Sequence, residues 1–136
     1  MRFSHVALNC ADQAVTERFY TTHFGFRRAR VVDLGDSQIT FLRNDGTYLE
    51  LFAASDARPT GAPDADGDRS VGCRHLAFQV DDVDASLAAM GDDAVISLGP
   101  LGFDGVIPGW RSVWVRDPDG TIVEISQGFR DDPALD

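Results

Sequence analysis

Two histidines and two glutamates are the residues of this chain whose types and positions could do chemistry together. His5 and His75 each stand near the start of one half of the sequence, and Glu50 and Glu124 each stand near the end of one half. Neutral imidazole and carboxylate are good ligands for zinc, nickel, cobalt, manganese or ferrous iron. The four residues therefore predict a site for a divalent metal.

The composition of the chain favours treating these residues as one set. Of its 22 acidic residues only three are Glu, and it has three His. Two of the three Glu and two of the three His occupy equivalent positions in the two halves. A strand residue has a fixed reach, so the extra methylene of Glu matters if the carboxylate has to touch a metal. Taken singly, each His could instead be a satisfied core residue and each Glu a surface charge.

The sequence around these four residues repeats as well. An Asp-Gly turn precedes each Glu by the same number of residues, as Asp45-Gly46 in one half and Asp119-Gly120 in the other. The further matches at a constant offset pair His5, Ala7 and Asp12 with His75, Ala77 and Asp82. Half-units of about 60 residues are marginal alone, so the two are expected to pack together.

Each half is predicted to fold as βαβββ, which makes the fold class α+β. In the first half, hydrophobic patterning predicts strands at 3–10, 26–34, 37–43 and 47–52, and a helix at 13–24 that Asp12 caps. In the second half, the same order is predicted as a strand at 73–80, a helix at 82–90 and strands at 94–98, 111–116 and 121–127. Residues 99–109 are predicted to be irregular, and His75 is placed on the first strand of its half.

One domain is predicted to span residues 1–136, with repeat one at about 3–53, repeat two at about 73–127 and an acidic tail at 128–136. Residues 54–72, between the repeats, are rich in Gly, Pro and Asp. They form either a solvated linker or a mobile flap over the site, since long loops in compact domains are often functional.

Composition excludes several kinds of function. The formal net charge of −10 argues against a nucleic-acid partner, because phosphate binding relies on Lys and Arg. All 12 basic residues are Arg, so lysine Schiff-base chemistry and lysine general bases are excluded. No signal peptide or long apolar run appears, which indicates a cytoplasmic protein without a membrane partner. His23 is expected at the helix end without a chemical role, and Cys10 and Cys73 as small buried hydrophobic residues.

Three stretches of the sequence resemble the vicinal oxygen chelate superfamily, which includes glyoxalase I, methylmalonyl-CoA epimerase, extradiol dioxygenases, fosfomycin-resistance enzymes and bleomycin-resistance proteins. They are His5 with Phe19-Tyr20 and Phe24-Gly25-Phe26, Arg74-His75-Leu76-Ala77-Phe78 with Val80-Asp81-Asp82, and Arg116-Asp117-Pro118-Asp119-Gly120 with Glu124. The resemblance covers residues 3–127. It implies two βαβββ repeats that form a U-shaped, eight-stranded sheet around a divalent metal, which holds substrates through adjacent oxygens.

Carried over by position, the resemblance implies His5, Glu50, His75 and Glu124 as the metal ligands. This set is most similar to that of bacterial glyoxalase I. The epimerases commonly carry Gln at the place of Glu50, and extradiol dioxygenases and fosfomycin enzymes use two His and one Glu, which leaves Glu50 as an extra ligand. Bleomycin-binding members lack the ligands, so the intact set argues against pure drug sequestration.

The expected reaction is proton transfer on a small molecule, of the lyase, isomerase or epimerase type. A divalent ion that chelates two substrate oxygens stabilises an enediolate or enolate. Glu50 or Glu124 would remove the adjacent proton as general base, and resemblance to glyoxalase I favours Glu124. Two alternatives remain open: an iron-dependent, ring-cleaving or other oxygenase, and a drug-binding resistance protein without turnover.

The residues expected to contact the substrate combine positive charge with aromatic surface: Arg43, Arg111, Tyr48, Phe103 and Trp110. Arg116 is a further candidate for binding an anionic group, and Trp114 either lines the pocket or fills the core. The sequence assigns no glutathione contacts. A homodimer is expected, because short domains of this resemblance often pair.

Overall fold

Each half of the sequence forms one main helix and one four-stranded sheet in the computed structural model, which describes residues 1–59 and 61–135. The backbone divides into two units, Met1–Gly61 and Ala62–Asp136. None of the helices in the described parts of the chain is long and apolar enough to cross a membrane.

The first unit has the order βαβββ. Its elements are β1 (His5–Cys10), α1 (Gln13–His23), β2 (Arg27–Asp33), β3 (Gln38–Asn44) and β4 (Thr47–Ala53). The strand order across the sheet is β1-β4-β3-β2, with β1 parallel to β4 and the other pairs antiparallel. The carboxylate of Asp12 caps α1 by accepting hydrogen bonds from the backbone N–H groups of Ala14 and Val15, as the sequence predicts.

The two faces of the first sheet differ in burial. Leu42, Leu49 and Leu51 are buried, together with Phe19 and Tyr20 of α1. The residues that alternate with them along β4 are Tyr48, Glu50 and Phe52, and they are only partly buried. Because successive strand residues point to opposite faces, one face of this sheet forms the core while the other is available for a site.

The second unit repeats this plan. Its elements are β5 (Leu76–Gln79), α2 (Val83–Met90), β6 (Ile96–Gly102), β7 (Arg111–Arg116) and β8 (Ile122–Gln127), with 3-10 turns at Gly91–Asp93 and Pro133–Leu135. The strand order is β5-β8-β7-β6, which is the order of the first unit with each strand replaced by its repeat equivalent. The predicted α+β class and the two βαβββ repeats are therefore confirmed.

Two predicted strand boundaries are wrong. The last strand before β7 runs to Gly102, since pairing with β7 continues at Leu101 and Gly102 after register shifts around Gly99-Pro100. His75 precedes β5 and does not lie on it. The backbone just before β5 pairs elsewhere, because the carbonyl of Arg74 accepts a hydrogen bond from the N–H of Asp68.

Residues 62–68 of the predicted linker pack against the second unit. The guanidinium of Arg116 donates to the carbonyl of Pro63 and, at 2.7 Å, to the carboxylate of Asp64. The N–H of Gly67 donates to the carbonyl of Asp64 at 2.9 Å, which closes a tight turn. We call residues 62–68 the acidic loop.

Gly67 is required where the acidic loop meets Arg74. Its φ is +127°, and a Cβ atom there would lie 2.0 Å from the carbonyl oxygen of Arg74. Gly61 also has a positive φ, +73°, but a Cβ there meets nothing within 4 Å. Both glycines have a positive φ, which favours glycine, but only at Gly67 would a Cβ atom collide with a neighbouring backbone atom.

We predict that Gly67→Ala lowers the free energy of unfolding by at least about 1 kcal/mol more than Gly61→Ala does, because only the first forces backbone atoms apart. Urea unfolding of the two variants, followed by circular dichroism, makes this measurement. Equal losses in the two variants would show that the acidic loop is not held against Arg74.

Candidate functional site

The first unit brings His5 and Glu50 together. His5 begins β1, and the register of β1 against β4 pairs it with Tyr48 and pairs Ala7 with Glu50. His5 and Glu50 therefore share one face of the sheet on neighbouring strands. The Nε2 atom of His5 lies 3.2 Å from the Oε2 atom of Glu50.

The second unit brings His75 and Glu124 together in the same way. The Nε2 atom of His75 lies 2.9 Å from the Oε2 atom of Glu124. The two side chains are 20% and 13% exposed, so this pair is more deeply buried than the first, in which His5 is 42% exposed. Both predicted His–Glu pairs therefore exist, one within each unit.

The acidic loop fixes the orientation of the His75 ring. The Nδ1 atom of His75 lies 2.5 Å from the backbone carbonyl oxygen of Asp66. A carbonyl oxygen can only accept a hydrogen bond, so Nδ1 must carry the proton. The Nε2 atom of the neutral ring then presents its lone pair, which is the form in which histidine binds a metal.

This tautomer has a consequence at Glu124. With Nδ1–H committed to Asp66, a neutral His75 points a lone pair at a carboxylate oxygen 2.9 Å away. Two acceptors at this distance repel each other unless a positive charge lies between them. Either a second proton on the ring or a metal ion can supply that charge.

The distances within the pairs fit two ligands of one metal ion. Imidazole nitrogen and carboxylate oxygen lie about 2.0–2.2 Å from zinc, which places two adjacent ligands of one ion roughly 2.8–3.6 Å apart for ligand–metal–ligand angles of about 90–110°. The separations in the two pairs are 3.2 and 2.9 Å. Within residues 1–59 and 61–135, no group of three or more His, Cys, Asp or Glu side chains forms a cluster, so each unit presents two donors of the expected four.

A chain of hydrogen bonds holds Glu124 from the other side. The Oγ atom of Ser112 lies 2.6 Å from Oε1 of Glu124 and 2.9 Å from Oγ of Ser126, and the indole Nε1–H of Trp110 donates to Ser126 at 3.1 Å. Each hydroxyl has one proton, so Ser112 donates to Glu124 and Ser126 donates to Ser112. All donors point toward Glu124, and such chains polarise one another.

The described residues of the first unit form no equivalent of this hydrogen-bond chain. In the second unit, Ser112 of β7 pairs with Ser126 of β8. The equivalent pair in the first unit is Ile39 of β3 with Phe52 of β4, and neither side chain is polar. Among the described residues, the carboxylate of Glu50 has a polar contact only with His5. The two repeats therefore hold equivalent carboxylates by different means, and Glu50 is the less restrained.

Aromatic side chains border Glu124. Trp114 pairs with Glu124 across β7 and β8, and its ring centroid lies 6.4 Å from that of His75. Phe103 lies against Trp110 at 4.6 Å and near Trp114 at 6.5 Å. The Nε1–H of Trp114 is buried without a hydrogen-bond partner in the described residues, which leaves one unused donor beside the pair.

The structure separates the arginines that sequence patterning groups together. Arg111 lies on the face of β7 opposite to Glu124, where it binds Asp84 of α2 at 2.5 Å, and its expected role in substrate binding stays a prediction. Arg116 is engaged by the acidic loop. Arg43 and Tyr48, by contrast, line a cavity on the face that carries Glu50, and Arg30 lines it with them.

The remaining candidates have no part in the site, with one correction. The ring of His23 packs against Phe19 at 5.4 Å, and Cys10 is buried. Cys73 is exposed, so its predicted burial is wrong. It precedes β5 and lies beyond the core that the strand pairing builds.

Sequence reasoning missed Asp66, Ser112, Ser126 and Arg30. Asp66 acts through its backbone carbonyl, which gives no signal in the side-chain pattern. Ser112 and Ser126 could have been found as polar residues on the same face as Glu124 in two apolar strands. Arg30 was missed because a register shift in β2 changes the face to which its side chain points.

The carboxylate of Asp66 is held by Arg74 through two hydrogen bonds of 2.9 Å. This contact lowers the pKa of Asp66 below its ordinary value. Since the pKa is lowered by folding, the contact stabilises the acidic loop above the unfolded-state pKa of about 3.9, and this stabilisation is lost as pH falls through the lower value.

We predict that Arg74→Gln raises the pKa of Asp66 toward its ordinary value, while Arg69→Gln, which removes an exposed charge from the neighbouring segment, has little effect. A titration of the carboxyl carbon signal by NMR measures both. An unchanged Asp66 pKa in Arg74→Gln would show that this ion pair does not anchor the acidic loop.

Comparison with known proteins identifies the family of this chain. The profile of the family described as Glyoxalase/Bleomycin resistance protein/Dioxygenase superfamily matches residues 2–125. The uncharacterized protein YaeR of Escherichia coli (strain K12) is 32% identical over 126 residues, which span 89% of this chain and 92% of YaeR.

Solved structures share the fold. A glyoxalase family protein from Enterococcus faecalis is 25% identical with a TM-score of 0.68, over 90% of this chain and 94% of that one. A lactoylglutathione lyase from Agrobacterium tumefaciens has a TM-score of 0.61 at 23% identity, over 93% of each chain, a likeness that concerns the fold alone. With a profile match over nearly its whole length, this chain belongs to the Glyoxalase/Bleomycin resistance protein/Dioxygenase superfamily.

Proposed function

We propose that this protein is a divalent-metal-dependent enzyme that catalyses proton transfer on a small molecule with two adjacent oxygens, as a lyase, isomerase or epimerase of the glyoxalase type. The metal ligands are His5, Glu50, His75 and Glu124. The ion is zinc, nickel, cobalt, manganese or iron, all of which accept this mixture of imidazole and carboxylate.

One observation carries this proposal: a lone pair of His75 faces a carboxylate oxygen of Glu124 at 2.9 Å while the other ring nitrogen is committed to Asp66. A metal ion between the two atoms would complete the pair. The arrangement recurs at His5 and Glu50, at 3.2 Å, and this supports a metal because it supplies the other two donors of a four-ligand set.

A bound divalent ion would supply Lewis-acid stabilisation of negative charge on the substrate oxygens. The chain itself has to orient the substrate, exclude water and move a proton. Trp114 and Phe103 provide an apolar border beside Glu124, and low polarity there strengthens the electrostatic contacts of a bound substrate. A carboxylate beside the substrate accepts the proton.

The hydrogen bonds distinguish the two carboxylates. Ser112 anchors Glu124, which therefore cannot turn toward a substrate without breaking that bond. Glu50 lacks such an anchor and is free to turn. We therefore assign Glu124 as the fixed ligand and Glu50 as the proton acceptor, although family resemblance alone favours Glu124 as the acceptor.

We predict that the purified protein binds one divalent ion per set of four ligands and that His75→Ala abolishes stoichiometric binding. Elemental analysis of the dialysed protein measures this. His23→Ala is the matched control, since His23 packs against Phe19 and should leave the metal content unchanged. Because the ligands must be deprotonated, affinity should also fall in mild acid.

Undiminished metal in His75→Ala would refute the ligand assignment. Protein that binds no metal under any loading condition would mean that protons complete the two pairs. Oxygen consumption by the iron-loaded protein would assign it to the oxygenases, and drug binding that survives chelator treatment would assign it to the resistance proteins.

We predict that Glu50→Gln and Glu124→Gln differ in turnover. Both should retain metal, and Glu50→Gln should lose roughly 10²–10⁴-fold in rate, the usual contribution of a general base. Glu124→Gln should lose less, because it keeps an oxygen that can accept from Ser112. Deuterium exchange from solvent into the substrate, measured on both metal-loaded variants, separates loss of proton transfer from loss of metal.

The opposite ranking would return the role of base to Glu124. If both variants incorporate solvent deuterium into the substrate at the wild-type rate, neither glutamate is the base. Equal losses that track the metal content would mean that both residues serve only as ligands.

We also propose that the protein is a homodimer, because members of this superfamily often pair. Analytical ultracentrifugation at micromolar concentration should give twice the mass of one chain. A fully active monomer at that concentration would contradict this assignment.

A further inference from the structure

We propose that the first unit carries a receptor for an oxyanion, formed by Arg30, Arg43 and Tyr48 on the face that bears Glu50. The oxyanion is a carboxylate or phosphate group of the substrate. This inference rests on the proposed function, since it concerns the molecule that Glu50 would act on, and it narrows the substrate to a small anionic compound.

A cavity defines the receptor. Its volume is about 380 Å³, and it is lined by Ala29, Arg30, Phe41, Arg43 and Tyr48. All five belong to β2, β3 and β4 of the first unit. Phe41 supplies an apolar wall, and it also meets the ring of His5 edge-on with centroids 6.3 Å apart. The cavity is therefore next to the His5–Glu50 pair.

A β-bulge places Arg30 in this cavity. In β2 and β3, Arg27 pairs with Arg43 and Arg30 pairs with Phe41, with a register shift between Arg28 and Arg30. Arg43 and Phe41 are two residues apart and share one face, so Arg27 and Arg30 share it too, although they are three apart. Without the extra residue, strict alternation would point Arg30 to the opposite face with Arg28.

The charge of the cavity favours an anion, because two arginines line it together and no carboxylate of the described residues does. Four other arginines are bound to carboxylates, in the pairs Arg28–Glu17, Arg74–Asp66, Arg111–Asp84 and Arg116–Asp64. Arg30 and Arg43 have no carboxylate partner among the described residues, in a chain with 22 acidic residues against 12 arginines. Two guanidinium groups on one small cavity repel each other, and a bound anion removes that repulsion.

The donors match an oxyanion in kind as well as in charge. A guanidinium presents a planar fork of N–H groups that fits carboxylate or phosphate oxygens, and a phenol O–H adds a single donor. Tyr48 stands between the two sites, because it pairs with His5 on one side and with Arg43 on the other. It is also two residues from Glu50 on β4, a spacing of about 7 Å. The anionic group thus lies a few bonds from the reacting atoms.

The test is a titration of the full-length protein, as purified, with inorganic phosphate and separately with acetate, at constant ionic strength set by chloride. NMR signals of the arginine Nε–H groups report binding at individual side chains. Arg30→Gln and Arg43→Gln each remove one guanidinium group from the cavity. Arg28→Gln is the matched control, since Arg28 lies on the same strand but on the other face, bound to Glu17.

In the wild-type protein we expect saturable shifts confined to Arg30 and Arg43. Each Gln variant should weaken binding by at least about tenfold, as expected for a hydrogen bond to a charged group. Arg28→Gln should bind as the wild type does. Arg30→Lys keeps the charge without the fork and should give an intermediate loss. Whichever anion binds more tightly identifies the group as phosphate or carboxylate.

Shifts that never saturate, or an equal loss in Arg28→Gln and Arg30→Gln, would overturn the proposal. Repeating the titration after dialysis against a chelator separates it from the metal site. Anion binding that survives chelation supports the receptor even if no metal is ever found. If anion binding is lost when the metal is removed, the anion binds to the metal, and the proposed receptor is wrong.

Discussion

The site depends on one constraint, which is that two hydrogen-bond acceptors cannot lie within contact distance without a proton or a metal ion between them. The backbone carbonyl of Asp66 takes the proton of one ring nitrogen of His75, and the other nitrogen then meets Glu124 at 2.9 Å. The close approach of the acidic loop at Gly67 and the pairing of β7 with β8 both serve to keep these atoms where they are. The fold thus keeps two acceptor atoms together, and either a second proton on the ring or a metal ion can relieve their repulsion.

The two repeats meet this constraint with different surroundings. In the second unit, Ser112 and Ser126 form a polar row beside Glu124, and Trp110 closes the row. In the first unit, Ile39 and Phe52 occupy the same positions, and Arg43 and Tyr48 line a cavity on the face that carries Glu50. A duplicated framework therefore holds one glutamate by a chain of hydrogen bonds and leaves a cavity on the face of the other.

The sequence predicts the repeats and the His–Glu pairs because both rest on spacing, which strand geometry converts directly into position. The sequence does not predict contacts that depend on an irregular strand register or on a backbone carbonyl group. The bulge in β2 reverses the side to which Arg30 points, and no residue type marks it. Arg111 is one residue from Ser112 yet lies on the opposite face, bound to Asp84. The support for His75 is a carbonyl group, which every residue possesses.

The bulge in β2 also bears on how this protein avoids aggregation. β2 is at the end of the strand order of its sheet, so one side of it has unpaired backbone groups that another extended chain could join. Closely spaced arginines and a kinked backbone are features by which natural sheets discourage such strand addition. In β2 these features are Arg27, Arg28 and Arg30 around the bulge at Ala29. The proposed ligand contact and the protection of this sheet edge would therefore both depend on Arg30, so a substitution there is expected to affect both.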